Sequence, residues 1–200
     1  MIEEIRGLFS LQFIERIWEG FEQLKATWHE DLIDFLGDLI RPKVYVELGL
    51  FHCDLFNRMI PHAERLIGVD INPEAGSFMQ QSEKVHFFNG TTQEFAKELH
   101  DNPIQIDLLF IDADHAKEAV LHDFHNYFPF VAPHGLILLH DTHPKDTWML
   151  QRLFCDTAYE AIEELSKNTE EYELMTLPIS PGLTICRKRK KQLSWHELTN

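Results

Sequence analysis

The apolar positions of this chain change period once, near residue 42. Before that point Ile5, Phe9, Phe13, Ile17, Phe21, Leu24 and Trp28 recur every three or four residues, the spacing that lines one face of a helix. The first forty residues are therefore predicted to be helical, serving as a helix packed on the core, a lid or a dimerisation arm. A second helical stretch, 31–40, should stop at Arg41-Pro42, because proline disfavours helical geometry in the residue before it. Beyond it come short apolar, β-branched runs at 43–49, 65–71, 84–90, 106–114 and 135–141. Several are apolar almost throughout, as parallel strands covered on both faces should be. Each is separated from the next by a stretch able to hold a helix or turn, which predicts right-handed βαβ units and an open doubly wound sheet. Helical periodicity returns at 147–167. Strands are then expected at 172–177 and 182–189, joined as a closing hairpin through a turn with Pro178 and Pro181.

Length and composition narrow this picture without redirecting it. Two hundred residues suit one domain, since cores divide only beyond roughly 250 residues. The expected layout is N-terminal helices over 1–41, a Rossmann-like α/β core over 42–190 and a tail over 191–200, with seven strands of which the last is antiparallel. No apolar run reaches about 18 residues, so no membrane span is expected. The acid-bearing start MIEEIRGLFS does not read as a secretory signal. Thirty-three acidic against 18 basic residues give a net charge of −15, which repels a phosphate backbone and argues against nucleic acid as a partner. The one basic cluster, 187–191, is expected to be a solvated tail. Cys53, Cys155 and Cys186 are odd in number and without CxxC spacing, so a disulfide framework is not indicated and a reducing cytoplasm is expected.

In an open α/β sheet the ligand lies outside the carboxyl ends of the strands. Those ends are Glu47-Leu48-Gly49, Asp70, Asn89-Gly90-Thr91, Asp112-Ala113-Asp114-His115 and His140-Asp141-Thr142. Four of the five carry a carboxylate, a residue type that strands seldom tolerate. The turn after the first run, ELGLFHCD, keeps one glycine of a nucleotide-binding fingerprint. Phe51 and Cys53 fill later glycine positions, and Asp54 stands where a helix should begin. An aspartate there would repel a pyrophosphate, which disfavours NAD and ATP. A ligand with adenine, ribose and a cationic head but no phosphate fits better, and S-adenosylmethionine is such a ligand. Asp70, 23 residues after Glu47, is placed to accept hydrogen bonds from both ribose hydroxyls.

On these residues the chain resembles the class I S-adenosylmethionine-dependent methyltransferases over about residues 42–190. VELGLFHCD is similar to their first motif, GVDI to the second, FNGTT to the adenine-side turn, and IDLLFIDADH with APHGLILLHDT to the fourth and fifth strands. The last pair is similar to the small-molecule O-methyltransferases, both the catechol and caffeoyl-CoA type and the branch acting on sugars and antibiotic precursors. The resemblance implies that Glu47, helped by the Gly49 backbone, holds the methionine amino group and that Asp70 holds the ribose. It implies that Gly90 and Thr91 border the adenine, and that Asp112 and Asp141 face a divalent metal, Asp112 at the cofactor's edge. His115 falls where the catechol-type enzymes carry a catalytic lysine. Two positions depart from the pattern: Cys53 replaces a glycine, and Thr142 stands where the metal-dependent enzymes usually have asparagine.

Independently of any family, methyl transfer from a sulfonium is an in-line displacement that mainly requires alignment of donor and acceptor. A hydroxyl acceptor needs a base or a metal to become nucleophilic near neutral pH. Carboxylates at neighbouring strand ends suit Mg²⁺, and His115 or His140 suits the base. Two other readings stand beside this one. Six histidines fall between 115 and 143, with an HDxH cluster at 140–143, which admits a histidine-ligated zinc or iron hydrolase. His122 and His125 are expected mid-helix, away from the strand ends, and Asp114 is expected to cap the helix beginning near Ala116. The off-pattern Cys53 and Thr142 admit a degenerate binding or scaffold module that keeps the fold without turnover. The expected partners are a small-molecule substrate and, from the aromatic N-terminal stripe, a second copy of the chain.

Overall fold

The computed structural model describes residues 27–168 and 170–189. The predicted apolar stripe of residues 5–24 and the tail over 191–200 lie outside the described residues. Helix α1 (Trp28–Ile40) ends where Arg41 turns left-handed and donates its amide to the Gly37 carbonyl at 2.9 Å, directly before Pro42. The remaining elements are β1 (Val44–Leu48), α2 (Asp54–Met59), β2 (Arg65–Asp70), β3 (Val85–Asn89), α3 (Thr92–Asp101), β4 (Ile106–Ile111), α4 (Lys117–Tyr127), β5 (Val131–His140), α5 (Ala158–Leu165), β6 (Tyr172–Leu177) and β7 (Leu183–Lys188). Among the described residues no helix is long and apolar enough to cross a membrane.

The seven strands form one sheet in the order β3-β2-β1-β4-β5-β7-β6. Pairs from β3 to β5 are parallel, and β7 runs antiparallel to both β5 and β6, so this is the Rossmann-like sheet with an antiparallel last strand. Strand order reverses between β1 and β4, and the carboxyl ends at such a switch point are where open α/β sheets place their ligands. Alternate side chains of each strand feed two apolar cores. Val46, Leu48, Val69, Leu109 and Leu139 pack with residues of α3, α4 and α5 on one face. Tyr45, Leu66, Leu108, Phe110 and Leu138 pack with residues of α1 and α2 on the other. Burial on both faces of β1, β2, β4 and β5 is why those runs read as continuous rather than alternating.

Two expectations are corrected. The predicted helix over 147–167 is helical only as α5, after a 3-10 turn at Thr147–Leu150. Tertiary bonds displace the intervening helix: the Lys117 amide donates to the Thr157 hydroxyl at 2.9 Å, the Phe154 carbonyl accepts from the His115 ring, and Asp156 sits at φ 43°. The basic cluster is not wholly a solvated tail. Arg187 and Arg189 pair with Glu173, and the Lys188 ammonium donates to the Val131 carbonyl at 2.6 Å, so 187–189 close the sheet.

Candidate functional site

Gly49 ends β1 with φ 85°, and a side chain there would overlap the Asp112 carbonyl of β4. Only glycine lets the two strands meet this closely at the switch point. Its amide donates to the Val69 carbonyl at 2.9 Å, so what it can offer an ammonium is its own carbonyl. The following loop is fastened by Asp70. One carboxylate oxygen accepts from the amides of Leu50 at 2.8 Å and Phe51 at 3.4 Å, and the other from the Asn72 amide at 2.7 Å. Asp70 thus shapes the first loop while standing at the carboxyl end of β2.

Cys53 takes the left-handed conformation, φ 60°, that glycine adopts freely. Its side chain is fully buried and its thiol donates to the Ala75 carbonyl at 3.2 Å. Burial pushes the thiol up to about 12. The sulfur therefore points into the core, and the glycine-like backbone is kept. Gly90 follows β3 and donates to the Asp70 carbonyl at 3.1 Å. Thr91 caps α3: its hydroxyl accepts from the Glu94 amide at 3.1 Å while the Glu94 carboxylate accepts from the Thr91 amide at 2.8 Å, a capping box. Its side chain serves the helix.

Glu47 is 3% exposed and accepts the Tyr45 hydroxyl at 2.5 Å. Burial, with the charges of Asp112 and of Glu30 on α1, holds its carboxyl well above the usual range. An ammonium arriving here would restore the carboxylate, because an opposite charge within a few ångström favours ionisation. Tyr45 was missed in the sequence, although positions two apart on a strand share a face and could have indicated it.

At the ends of β4 and β5 the chain gathers Asp112, His115, His140 and Asp141. His140 Nδ1 lies 2.9 Å from Asp112 Oδ1 and 3.5 Å from Asp141 Oδ2. His115 Nε2 lies 3.3 Å from Asp112 Oδ1, and its Nδ1 lies 3.1 Å from Asp141 Oδ2 and beside the Phe154 carbonyl. Burial works against the imidazolium, but the Asp112 hydrogen bond and the Asp141 charge raise His115 to about 9. The same carboxylates raise His140 well above its ordinary value against its own burial. Asp112 and Asp141 are held low in turn, burial opposing and His140 prevailing. Asp141 itself is left-handed at φ 59° and its second oxygen accepts from the Cys155 thiol at 3.3 Å. His140 Nε2 has no hydrogen-bond partner among the described residues, and its ring packs at 3.9 Å on His29 of α1. His29 and Cys155 carried no local signal, being brought in by tertiary packing alone.

Asp112, His115 and Asp141 each present one donor atom within 4.8 Å of the others. This donor set, two carboxylate oxygens and one imidazole nitrogen, fits a divalent cation. The other candidates disperse. Thr142 turns its hydroxyl to that of Thr184 at 2.8 Å. Asp114 accepts from the Ala116 amide at 2.9 Å, one turn ahead of α4. His122 and His125 ride on α4, His122 beside Gln93. The exposed His143 is not part of the donor cluster found among the described residues.

Residues 46–142, from β1 to the turn after β5, match a family described as a methyltransferase domain. The methyltransferase PaMTH1 of Podospora anserina, solved bound to SAH, superposes with a TM-score of 0.67 at 14% identity, covering 91% of this chain and 97% of that one. An O-methyltransferase from Bacillus cereus, in complex with SAH, gives 0.66 at 11% identity, covering 94% and 97%. A protein of Acanthamoeba polyphaga mimivirus, R132, is 28% identical over 111 residues, so the match covers 48% of this chain and half the length of that relative. The chain therefore has the class I methyltransferase fold, and its residues 46–142 match the methyltransferase-domain family. The Bacillus cereus O-methyltransferase shares that fold with it.

Proposed function

We propose that the protein transfers the methyl group of S-adenosylmethionine to a hydroxyl oxygen of a small molecule. The observation that carries this reading is the placement, at the carboxyl ends of the neighbouring strands β2, β1, β4 and β5, of Asp70, the buried Glu47 and the Asp112–His115–His140–Asp141 cluster. Glu47 and the Gly49 carbonyl bind the methionine ammonium, Asp70 accepts from the ribose hydroxyls, and Gly90 and Thr91 border the adenine with backbone. The acidic mouth favours a cationic, phosphate-free adenosine compound over a pyrophosphate.

Asp112 and Asp141 would hold a divalent cation such as Mg²⁺, whose chemistry is to lower the pKa of a bound hydroxyl. The chain's own residues align the acceptor oxygen with the methyl carbon and remove its proton. Of the two candidate bases, His140 is favoured because its buried Nε2 has no hydrogen-bond partner among the described residues, whereas both ring nitrogens of His115 face acceptors. It serves as base in its neutral form, which a cation held by Asp112 and Asp141 would restore by offsetting the carboxylates that keep the ring protonated. In the transfer a carbon–oxygen bond forms as the carbon–sulfur bond breaks. The hydroxyl proton passes to the neutral His140 ring, and S-adenosylhomocysteine departs.

The test is transfer of radiolabelled methyl from S-adenosylmethionine to a panel of catechols and sugar hydroxyls, with metal supplied. An O-methylated product is expected. His140→Gln should lower turnover by about 10²–10⁴-fold, as loss of a positioned base does, while S-adenosylhomocysteine still binds. Cofactor binding with no transfer to any acceptor would overturn the reading in favour of a binding module.

A further inference from the structure

The cation site described above has two aspartates but lacks its expected third oxygen. The residue after Asp141 is Thr142, whose hydroxyl is tied to Thr184 at 2.8 Å, itself bonded to Thr176 at 2.8 Å. A hydroxyl in that chain faces the sheet. Another group occupies the place beside the carboxylates. His115 Nδ1 lies against the backbone carbonyl of Phe154, and a ring N–H donated to a carbonyl keeps its proton, so a cation that displaces the other proton takes the lone pair of the opposite nitrogen. That other nitrogen, Nε2, is 3.3 Å from Asp112 Oδ1. Two ligands each about 2.1 Å from one cation at a right angle stand about 3 Å apart, so this is the separation of neighbouring ligands.

Each of the three donors also has an outer partner. His140 Nδ1 stands 2.9 Å from Asp112, the Cys155 thiol donates to Asp141 Oδ1 at 3.3 Å and leaves Oδ2 toward His115, and the Phe154 carbonyl holds His115. Outer hydrogen bonds of this kind orient metal ligands. Two of the three come from adjacent residues, 154 and 155, in the segment where the sequence predicts helix and the structure has turns. The departure from helix thus places both groups at the cluster.

We infer that His115 is a metal ligand, completing an Asp112–His115–Asp141 site that takes a first-row transition cation in preference to Mg²⁺. The inference rests on the reading of Asp112 and Asp141 as cation ligands. One nitrogen among the donors shifts preference away from a cation that favours oxygen alone and toward those that accept imidazole.

The test uses the full chain stripped with a chelator and titrated with Co²⁺ by visible absorption, with Mg²⁺ as competitor. Wild type should bind Co²⁺ at least about a hundredfold more tightly than Mg²⁺, and His115→Gln should weaken Co²⁺ about tenfold or more while moving Mg²⁺ little. Pulsed electron paramagnetic resonance on Mn²⁺-loaded wild type should show coupling to a directly bound nitrogen, a readout that needs no variant. No Co²⁺ binding, no nitrogen coupling, or unchanged affinity in His115→Gln overturns the inference. A thiolate-to-cobalt band in the near ultraviolet also overturns it, assigning Cys155 as the ligand. S-Adenosylhomocysteine titrated into the same samples separates the two readings: its failure to bind beside a normal Co²⁺ titration removes the proposed function and leaves the metal site standing.

Discussion

Cys53 holds a backbone conformation, φ 60° and ψ 25°, that costs an L-residue about 1–2 kcal/mol. It is retained because the thiol is buried in the α1–α2 core and bonded to Ala75. Replacement by glycine removes the backbone penalty and the thiol burial together, two effects of similar size. Cys53→Gly should therefore stay within about 1 kcal/mol of wild type in urea denaturation and bind S-adenosylhomocysteine equally well. Cys53→Val, β-branched at positive φ, should lose about 2 kcal/mol or more. A Cys53→Gly protein with about tenfold tighter cofactor binding would mean instead that the sulfur narrows the cofactor site. The sequence marks this position as off-pattern, but the direction of the side chain was not legible there, since it depends on Ala75, 22 residues away. Glu47, Asp70, Asp112 and Asp141 were legible because carboxylates are costly at strand ends. His29 and Cys155 were not, because their neighbours in sequence carry no pattern that predicts their neighbours in space.

The central strands β1, β2, β4 and β5 were legible for a physical reason: they are covered on both sides, so each is a run of mostly apolar residues, whereas β3 and β6 are only partly buried. Element ends were less legible. Strand β5 begins at Val131, before the expected Gly135, with a register irregularity against β4 between Ile106 and Leu108. Helix α4 carries a separate testable feature. Asp123 is 3% exposed, and burial raises its carboxyl to about 6, although a hydrogen bond with Thr92 works the other way. The folded chain thus holds this proton more tightly than the unfolded chain, where an aspartate titrates near 3.9. Stability from this group is full below about pH 4, falls as pH rises toward 6, and is lost above it. Asp123→Asn should therefore raise unfolding stability by about 1–3 kcal/mol at pH 8 and by little at pH 4. Equal effects at both pH values in urea melts would contradict the burial account.

For the whole molecule, the sheet order places Glu47, Asp70, Asp112 and His140 at the carboxyl ends of four neighbouring strands. The net charge of −15 makes that end of the sheet hostile to phosphates and receptive to cations. The βαβ order and the antiparallel last strand were readable from the periodicity, but the cover that α1 places over His140 was not. That contact depends on how Trp28 reaches the β6–β7 turn, where its indole donates to the Ser180 carbonyl at 3.1 Å. The account depends on that end of the sheet accepting a cationic, phosphate-free adenosine compound, and calorimetric titration measures this most directly. S-Adenosylmethionine should bind one per chain, and Glu47→Gln and Asp70→Ala should each weaken it at least about tenfold, the loss of one charge-assisted contact. NAD and ATP should give no heat of binding. Absence of S-adenosylmethionine binding, affinity untouched by both substitutions, or tighter binding of either phosphate-bearing nucleotide would contradict the account.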